Sequence, residues 1–395
     1  MLTIDKIYDA QKHLRGVARR TPLTPAPALG ETIYIKCENL QVTGSFKLRG
    51  AYNKLRHLTE EEKSRGVVAC SAGNHAQGVA MSATRMGIKS VICMPAGAPI
   101  AKVEATRGYG AEVVLVPGVY DDAAREAERL AQEEGYTFAH PFNDEYVMAG
   151  QGTIALEILD QLPDVEQVVV PIGGGGLISG IAVAIKMLKP DCKVIGVQAA
   201  GAPSMYNAVK AGCVEELASV HTIADGIAVK KPGDLTYECC TKYVDDIITV
   251  TEDEIASAIL SLMEIQKTVS EGAGATTVAA YMFKKVDTSL KTVCVVSGGN
   301  IDVTMLSRVI NRGLIKSGRI AEITTKVEDK PGMLINLLQI IGATGANIKE
   351  IDHKHEDMDS EVNACVVSMV LETRNQAHVT EIIAALQTAG YTVLH

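Results

Sequence analysis

The amino-acid sequence predicts an α/β protein with parallel sheet and helices on both faces, followed by a small α+β module of ferredoxin-like type. Three observations carry this prediction. Strand-length apolar runs rich in Val and Ile alternate with segments of helical period over most of the chain, which is the rhythm of βαβ units. Several of these runs end in glycine-rich turns, where open α/β sheets expose their ligand sites. From Ile320 onward the order changes to β-α-β-β-α-β.

Taken in order, Ile4, Ile7, Ala10, Leu14 and Val17 have the spacing of an amphipathic helix, closed by Thr21-Pro22. An extended run at 33–37 precedes a helix at 51–58. A buried strand at 66–70 leads to a helix at 76–86, a strand at 90–94, a helix at 101–109, a strand at 111–116 and an acidic helix at 120–134. After the loop His140-Pro141-Phe142-Asn143-Asp144 come a helix at 150–162, a strand at 167–172, a helix at 177–189 and a strand at 193–198. Residues 222–233 read as loop, 255–267 and 275–285 as helices, and 291–296 as the last strand of this part. The terminal module has strands at 320–328, 347–353, 361–371 and 391–394, with helices at 332–344 and 377–388.

A chain of 395 residues suits two or three domains, and its 47% apolar content fills a core. The formal charge of -9, without a basic patch interleaved with aromatics, points away from nucleic acid. No apolar run is long enough to span a bilayer, and residues 1–20 lack the core of a secretory signal. The nine cysteines contain no Cys-x-x-Cys pair, so a reducing, cytoplasmic setting is expected. No cluster of Asp, Glu or His has metal-ligand spacing, and no metal is expected.

The chemistry converges on Thr43-Gly44-Ser45-Phe46-Lys47-Leu48-Arg49-Gly50-Ala51. A lysine at a strand-to-helix junction can point into a cleft, where desolvation lowers its pKa and leaves a neutral amine able to form a Schiff base with an aldehyde. An ordinary surface lysine is the plainer alternative. Three turns accompany it: Ser71-Ala72-Gly73-Asn74-His75, Gly173-Gly174-Gly175-Gly176-Leu177 and Ser297-Gly298-Gly299-Asn300. Consecutive glycines between a strand and a helix bring bare N–H groups to a point at the positive end of a helix dipole, which suits a phosphate. A tight turn is the alternative there. The turn at Ser71 opens a helix whose free N–H groups suit a carboxylate, although Ser and Asn also serve as plain helix caps and His75 as a packed histidine. Glu271, in Ser270-Glu271-Gly272-Ala273, either faces the site or caps a helix.

Together these motifs resemble the pyridoxal phosphate enzymes of the tryptophan synthase β fold (fold type II), most closely the threonine and serine dehydratases. The resemblance implies two parallel-sheet subdomains with the cofactor in the cleft, in a catalytic domain over 1–312 whose smaller subdomain, about 50–150, is inserted in the larger. It implies that Lys47 tethers the cofactor and removes the Cα proton. Phe46 would lie near the ring, Asn74 would bond its phenolic oxygen, Gly173, Gly174, Gly175, Gly176 and Leu177 would hold its phosphate, and Ser297 would face the pyridine nitrogen. Ser71, Ala72, Gly73, Asn74 and His75 would grip the substrate carboxylate. Ala72 stands where racemases of the family carry a second serine, which favours elimination.

After a linker at 313–319, residues 320–395 resemble an ACT domain, with Asp329, Lys330, Pro331, Gly332, Met333 and Leu334 as the ligand loop for an amino acid effector such as isoleucine. The implied activity is β-elimination of L-threonine to 2-oxobutanoate and ammonia, with L-serine also accepted, in a homodimer or homotetramer. A serine dehydratase or racemase, and a catalytically inactive amino-acid sensor, are the alternatives.

Overall fold

Continuous apolar strands are stable when both of their faces are covered, and this chain places them in two parallel sheets. The computed structural model describes residues 2–354 and 363–394, in two units, Met1–Met305 and Leu306–His395. In the first unit a six-stranded sheet runs in the spatial order Leu23–Pro25, Ile33–Cys37, Thr292–Val296, Gln167–Pro171, Lys193–Ala199 and Asp246–Val250. Every pairing is parallel except that of the edge strand Leu23–Pro25. A second sheet, all parallel, runs Glu112–Val116, Ser90–Pro95, Val67–Cys70 and Thr137–Phe138. Its strands fall in sequence between two strands of the large sheet.

The central strands Gln167–Pro171 and Thr292–Val296 are buried along their whole length. Helix Gly176–Leu188 is buried on nearly all sides and packs on helix Glu145–Gln161. The two approach closely because Gly180 has no side chain: a methyl there would collide with Met148 O and Gly152 N. That contact fixes the helix whose first residues form the glycine turn.

The second unit has the predicted β-α-β-β-α-β order. Its antiparallel sheet runs Asn347–Lys354, Ala364–Glu372, Ile320–Glu328, Thr392–Val393, with helices Met333–Ala343 and Gln376–Thr388. Ile323, Leu337, Val367, Leu371, Ile382 and Leu386 form its core. Residues 361 and 362, expected to open the third strand, lie outside the described residues.

Two expectations are corrected. Residues 313–316 of the expected linker continue helix Val303–Lys316, leaving Ser317, Gly318 and Arg319 as the turn; a basic stretch with one glycine still carries enough helix formers to extend. The helix expected to begin at residue 51 begins at Lys47. Seven α-helices and strands went unpredicted: Leu23–Pro25, Glu60–Arg65, Thr137–Phe138, Ser204–Ala211, Asp234–Tyr243, Asp246–Val250 and Val303–Lys316. No helix among the described residues is long and apolar enough to cross a membrane.

Candidate active site

Parallel strands deliver their C-terminal ends to one edge of a sheet, and the four predicted motifs follow Cys37, Cys70, Pro171 and Val296 at such ends. They meet around a cavity of about 710 Å³ lined by Phe46, Lys47, the Ser71 to His75 turn, the Gly173 to Leu177 turn, Glu271 and Ser297. Lys47 is the first residue of helix Lys47–Arg56. Gly78 of helix Asn74–Arg85 lies against its backbone, where an added Cβ would stand 3.1 Å from the Lys47 carbonyl carbon. The amine donates to Pro141 O at 2.9 Å and stands 5.3 Å from the centre of the Phe46 ring. Burial lowers it to about 8, against the attraction of Glu271.

Its neighbours are kept uncharged. Burial, with Lys47 adding to it, brings His75 down to about 3 and His140 to about 4. His75 Nε2 bonds Ala139 O at 2.8 Å, and a carbonyl accepts only, so that nitrogen carries the proton. His140 Nδ1 accepts from the backbone N–H groups of Phe142 and Asn143 at 3.2 and 2.8 Å, which leaves its proton on Nε2 as in His75 and shapes the loop that offers Pro141 O to the lysine.

Gly175 is the N-cap of helix Gly176–Leu188 in left-handed conformation, φ 95°, which an L side chain adopts only with strain. Side chains at Gly174 and Gly176 would collide with Phe142. Thr236 Oγ1 ties the turn down by donating to Gly174 O at 2.6 Å. The backbone N–H groups of Gly173 through Leu177 have no acceptor among the described residues. Orphaned donors at a helix N-terminus, beside an amine of lowered pKa, are a donor set that fits a phosphorylated aldehyde.

The remaining predicted residues surround this pair. Ser71 Oγ accepts from Gly73 N at 3.1 Å, so the serine caps its own turn. Asn74 opens helix Asn74–Arg85. Ser297 is buried, its backbone O accepting from Phe46 N at 3.1 Å, and it lines the same cavity.

Glu271 resolves its fork: it holds the N-cap position of helix Gly272–Met282 but makes no capping bond, and instead accepts from Asn74 Nδ2 at 2.7 Å. Burial, reinforced by Asp225, raises its carboxyl to about 7. Pro141 and Phe142 are the site residues without an expected role in the sequence; Glu271 was an open alternative, and Asn300 was placed in the Ser297 turn with no role assigned. The Pro-Phe-Asn-Asp run after strand Thr137–Phe138 was the available signal for the first two, since it lies at the ligand edge of the second sheet.

Asp329 to Leu334 lie in the second unit, in an exposed turn where Gly332 has φ 90° and Asp329 N donates to Asn363 O at 2.9 Å. Among the described residues no group of three or more His, Cys, Asp or Glu is placed to hold a metal. A larger groove of about 840 Å³, reaching Arg49 and Glu157, contains none of the predicted site residues; its one fully buried cation, Arg49, is already paired (Nη1 to Glu157 Oε1, 2.7 Å), so the smaller cavity is the chemically equipped one.

Residues 14–298 match the family model of pyridoxal-phosphate dependent enzymes, and the chain belongs to that family. It is 51% identical to an L-threonine ammonia-lyase of Thermotoga maritima, over 100% of this chain and 99% of that one. Among solved structures it is similar to the processed form of threonine deaminase isoform 2 from Solanum lycopersicum, with 37% identity and TM-score 0.75 over 78% of this chain and 87% of that one. It is also similar to maize serine racemase, with 35% identity and TM-score 0.74 over 80% and 98%.

Proposed function

We propose that the protein is an L-threonine ammonia-lyase, converting L-threonine to 2-oxobutanoate and ammonia, with L-serine as a second substrate. The observation that carries this is the pairing of the Lys47 amine, lowered to about 8, with the unpartnered N–H groups of the Gly173 to Leu177 turn across one cavity. The full-length likeness to an L-threonine ammonia-lyase supports the choice of substrate.

When bound, pyridoxal phosphate supplies an electron sink for the pair left at Cα. In this reading the glycine turn would hold the phosphate, Asn74 and Ser297 would contact the ring oxygen and nitrogen, and Phe46 would lie beside the ring. Ser71 to His75 hold the substrate carboxylate at a helix N-terminus. Lys47 Nζ, whose burial-lowered pKa of about 8 leaves it proton-free far more often than an ordinary lysine, would take the Cα proton. Ala72 has no hydroxyl with which to return a proton from the opposite face, so elimination is favoured over racemisation. The neutral His75 and His140 add no charge that would compete for the carboxylate or phosphate.

The test is direct. Purified protein with cofactor should show a near-visible absorption band and form 2-oxobutanoate from L-threonine; a folded sample with neither rejects the proposal. Because maize serine racemase is among the structural neighbours, relative turnover of L-threonine and L-serine, with product chirality, decides within the class.

We further propose that residues 320–395 are an ACT-like regulatory module, joined by the end of helix Val303–Lys316 and the turn at 317–319 to a catalytic domain over 1–312. An amino acid such as isoleucine would bind at Asp329 to Leu334, between modules of neighbouring subunits in a homodimer or homotetramer. The β-α-β-β-α-β order and the exposed turn at Gly332 support this reading. Truncation after Arg319 should abolish an effector response while retaining turnover; an unchanged response contradicts it.

A further inference from the structure

An asparagine amide can present either its N–H or its oxygen to a ligand, and the two faces differ only by a flip. In this protein the neighbours of Asn74 decide. Asn300 Nδ2 donates to the carbonyl of Thr43 at 2.8 Å and to Asn74 Oδ1 at 2.7 Å. A backbone carbonyl only accepts, so Asn300 must turn its NH2 this way, and Asn74 must answer with its oxygen. The NH2 of Asn74 is thereby turned to Glu271, which accepts at 2.7 Å. Its second hydrogen has no partner among the described residues, and Asn74 and Glu271 both line the cavity.

We propose that Glu271 and Asn300 are positioning residues that lock the Asn74 amide so that it offers an N–H, never its oxygen, to an acceptor on the bound cofactor. The proposal deepens the functional reading above and rests on it. Room for the lock is made at two separate motifs: a side chain at Gly44 would collide with Asn300 Oδ1, and one at Gly298 with Glu271 Oε1. Glu271 also forgoes the capping bond open to a residue at its position in order to meet Asn74.

The charged groups around Glu271 are Asp225, which favours its proton, and Lys102 and Lys47, which oppose it; burial outweighs them. Lys102 itself is paired with Asp225 at 2.6 Å. A neutral carboxyl accepts through its carbonyl oxygen, so glutamine reproduces what the lock needs and leucine does not.

The experiment measures the dissociation constant of pyridoxal phosphate, its absorption maximum and the melting temperature of the cofactor-free protein for wild type, Glu271→Gln, Glu271→Leu and Asn300→Ala. Glu271→Gln should keep the dissociation constant within about 3-fold of wild type, while Glu271→Leu and Asn300→Ala weaken binding by about 10-fold or more and shift the band, as expected when a buried donor loses its partner. A purely structural role would lower all three melting temperatures without separating Gln from Leu in affinity. Glu271→Gln as weak as Glu271→Leu, or Asn300→Ala with wild-type affinity and an unshifted band, overturns the lock; if Glu271→Leu does not fold, the Asn300→Ala arm decides alone. A wild-type protein with no band refutes the functional reading and the lock with it, whereas a wild-type band without this pattern refutes the lock only.

Discussion

A buried guanidinium and a half-buried amine stand two residues apart on helix Lys47–Arg56, and their surroundings differ in a way that separates structure from chemistry. Arg49, 1% exposed, donates to both oxygens of Glu38 at 2.9 and 2.8 Å, to Glu157 at 2.7 Å, to Thr153 at 3.2 Å and to Arg19 O at 3.1 Å. Lys36, wholly buried beside it, gives its three hydrogens to Thr21 O, Glu157 and Gln161 at 2.8, 2.6 and 2.9 Å. Burial works against charge throughout this knot, but Glu38 and Glu157 outweigh it for Arg49, whose pKa is raised, and Arg49 and Lys36 outweigh it for Glu38, whose pKa is lowered. Lys47 has one carbonyl and open space. A buried cation with every donor answered is a strut, and a cavity-lining amine left mostly unanswered is a reagent. The strut holds the helix that carries the reagent.

The sharpest way to break this contrast is to remove each cation. Lys47→Met should lower kcat on L-threonine by at least about 10²–10⁴-fold, the span of a positioned general base. Its melting temperature should move by no more than about 2–4 °C, as follows for a change near 1 kcal/mol in a large unit.

Arg49→Met should do the reverse, destabilising the protein by about 3–5 kcal/mol in urea unfolding, because it strips the buried Glu38 carboxylate of the guanidinium it pairs with. Turnover per folded molecule should fall far less than in Lys47→Met. Equal losses of activity in the two variants would erase the distinction.

The smallest effect is set by pH. In cofactor-free protein the Lys47 amine becomes neutral as pH rises through about 8, so its rate of adduct formation with an aldehyde should climb about tenfold per unit below that point and level off above it. Stability moves the same way. The folded amine titrates near 8 against an ordinary 10.5, so the unfolded chain binds more protons in that window, and stability contributed by this group is gained from about pH 8 to 10.5. Lys47→Met should lose that rise, read from urea midpoints at both pH values.

Much of this arrangement was legible before any coordinates. Parallel strands such as Gln167–Pro171 and Thr292–Val296 are apolar after their first residue because both faces are covered, and the strand expected at 320–328 is the observed Ile320–Glu328. Short edge strands were not legible, because Leu23–Pro25 and Thr137–Phe138 are too brief to show a period. Helix Val303–Lys316 looked like a connector because its glycine and basic residues hide an apolar stripe that buries only Val309.

At the site, residue types were readable but directions were not. No sequence signal turns Glu271 from its own helix toward Asn74, and the carbonyl of Pro141 that holds Lys47 is a backbone atom every residue possesses.

Borohydride reduction of the cofactor-loaded protein, followed by peptide mapping, tests the central claim most directly. The account predicts a pyridoxyl label on the peptide containing Lys47 and on no other; a label on any other lysine, Lys36 included, or no label at all, contradicts it.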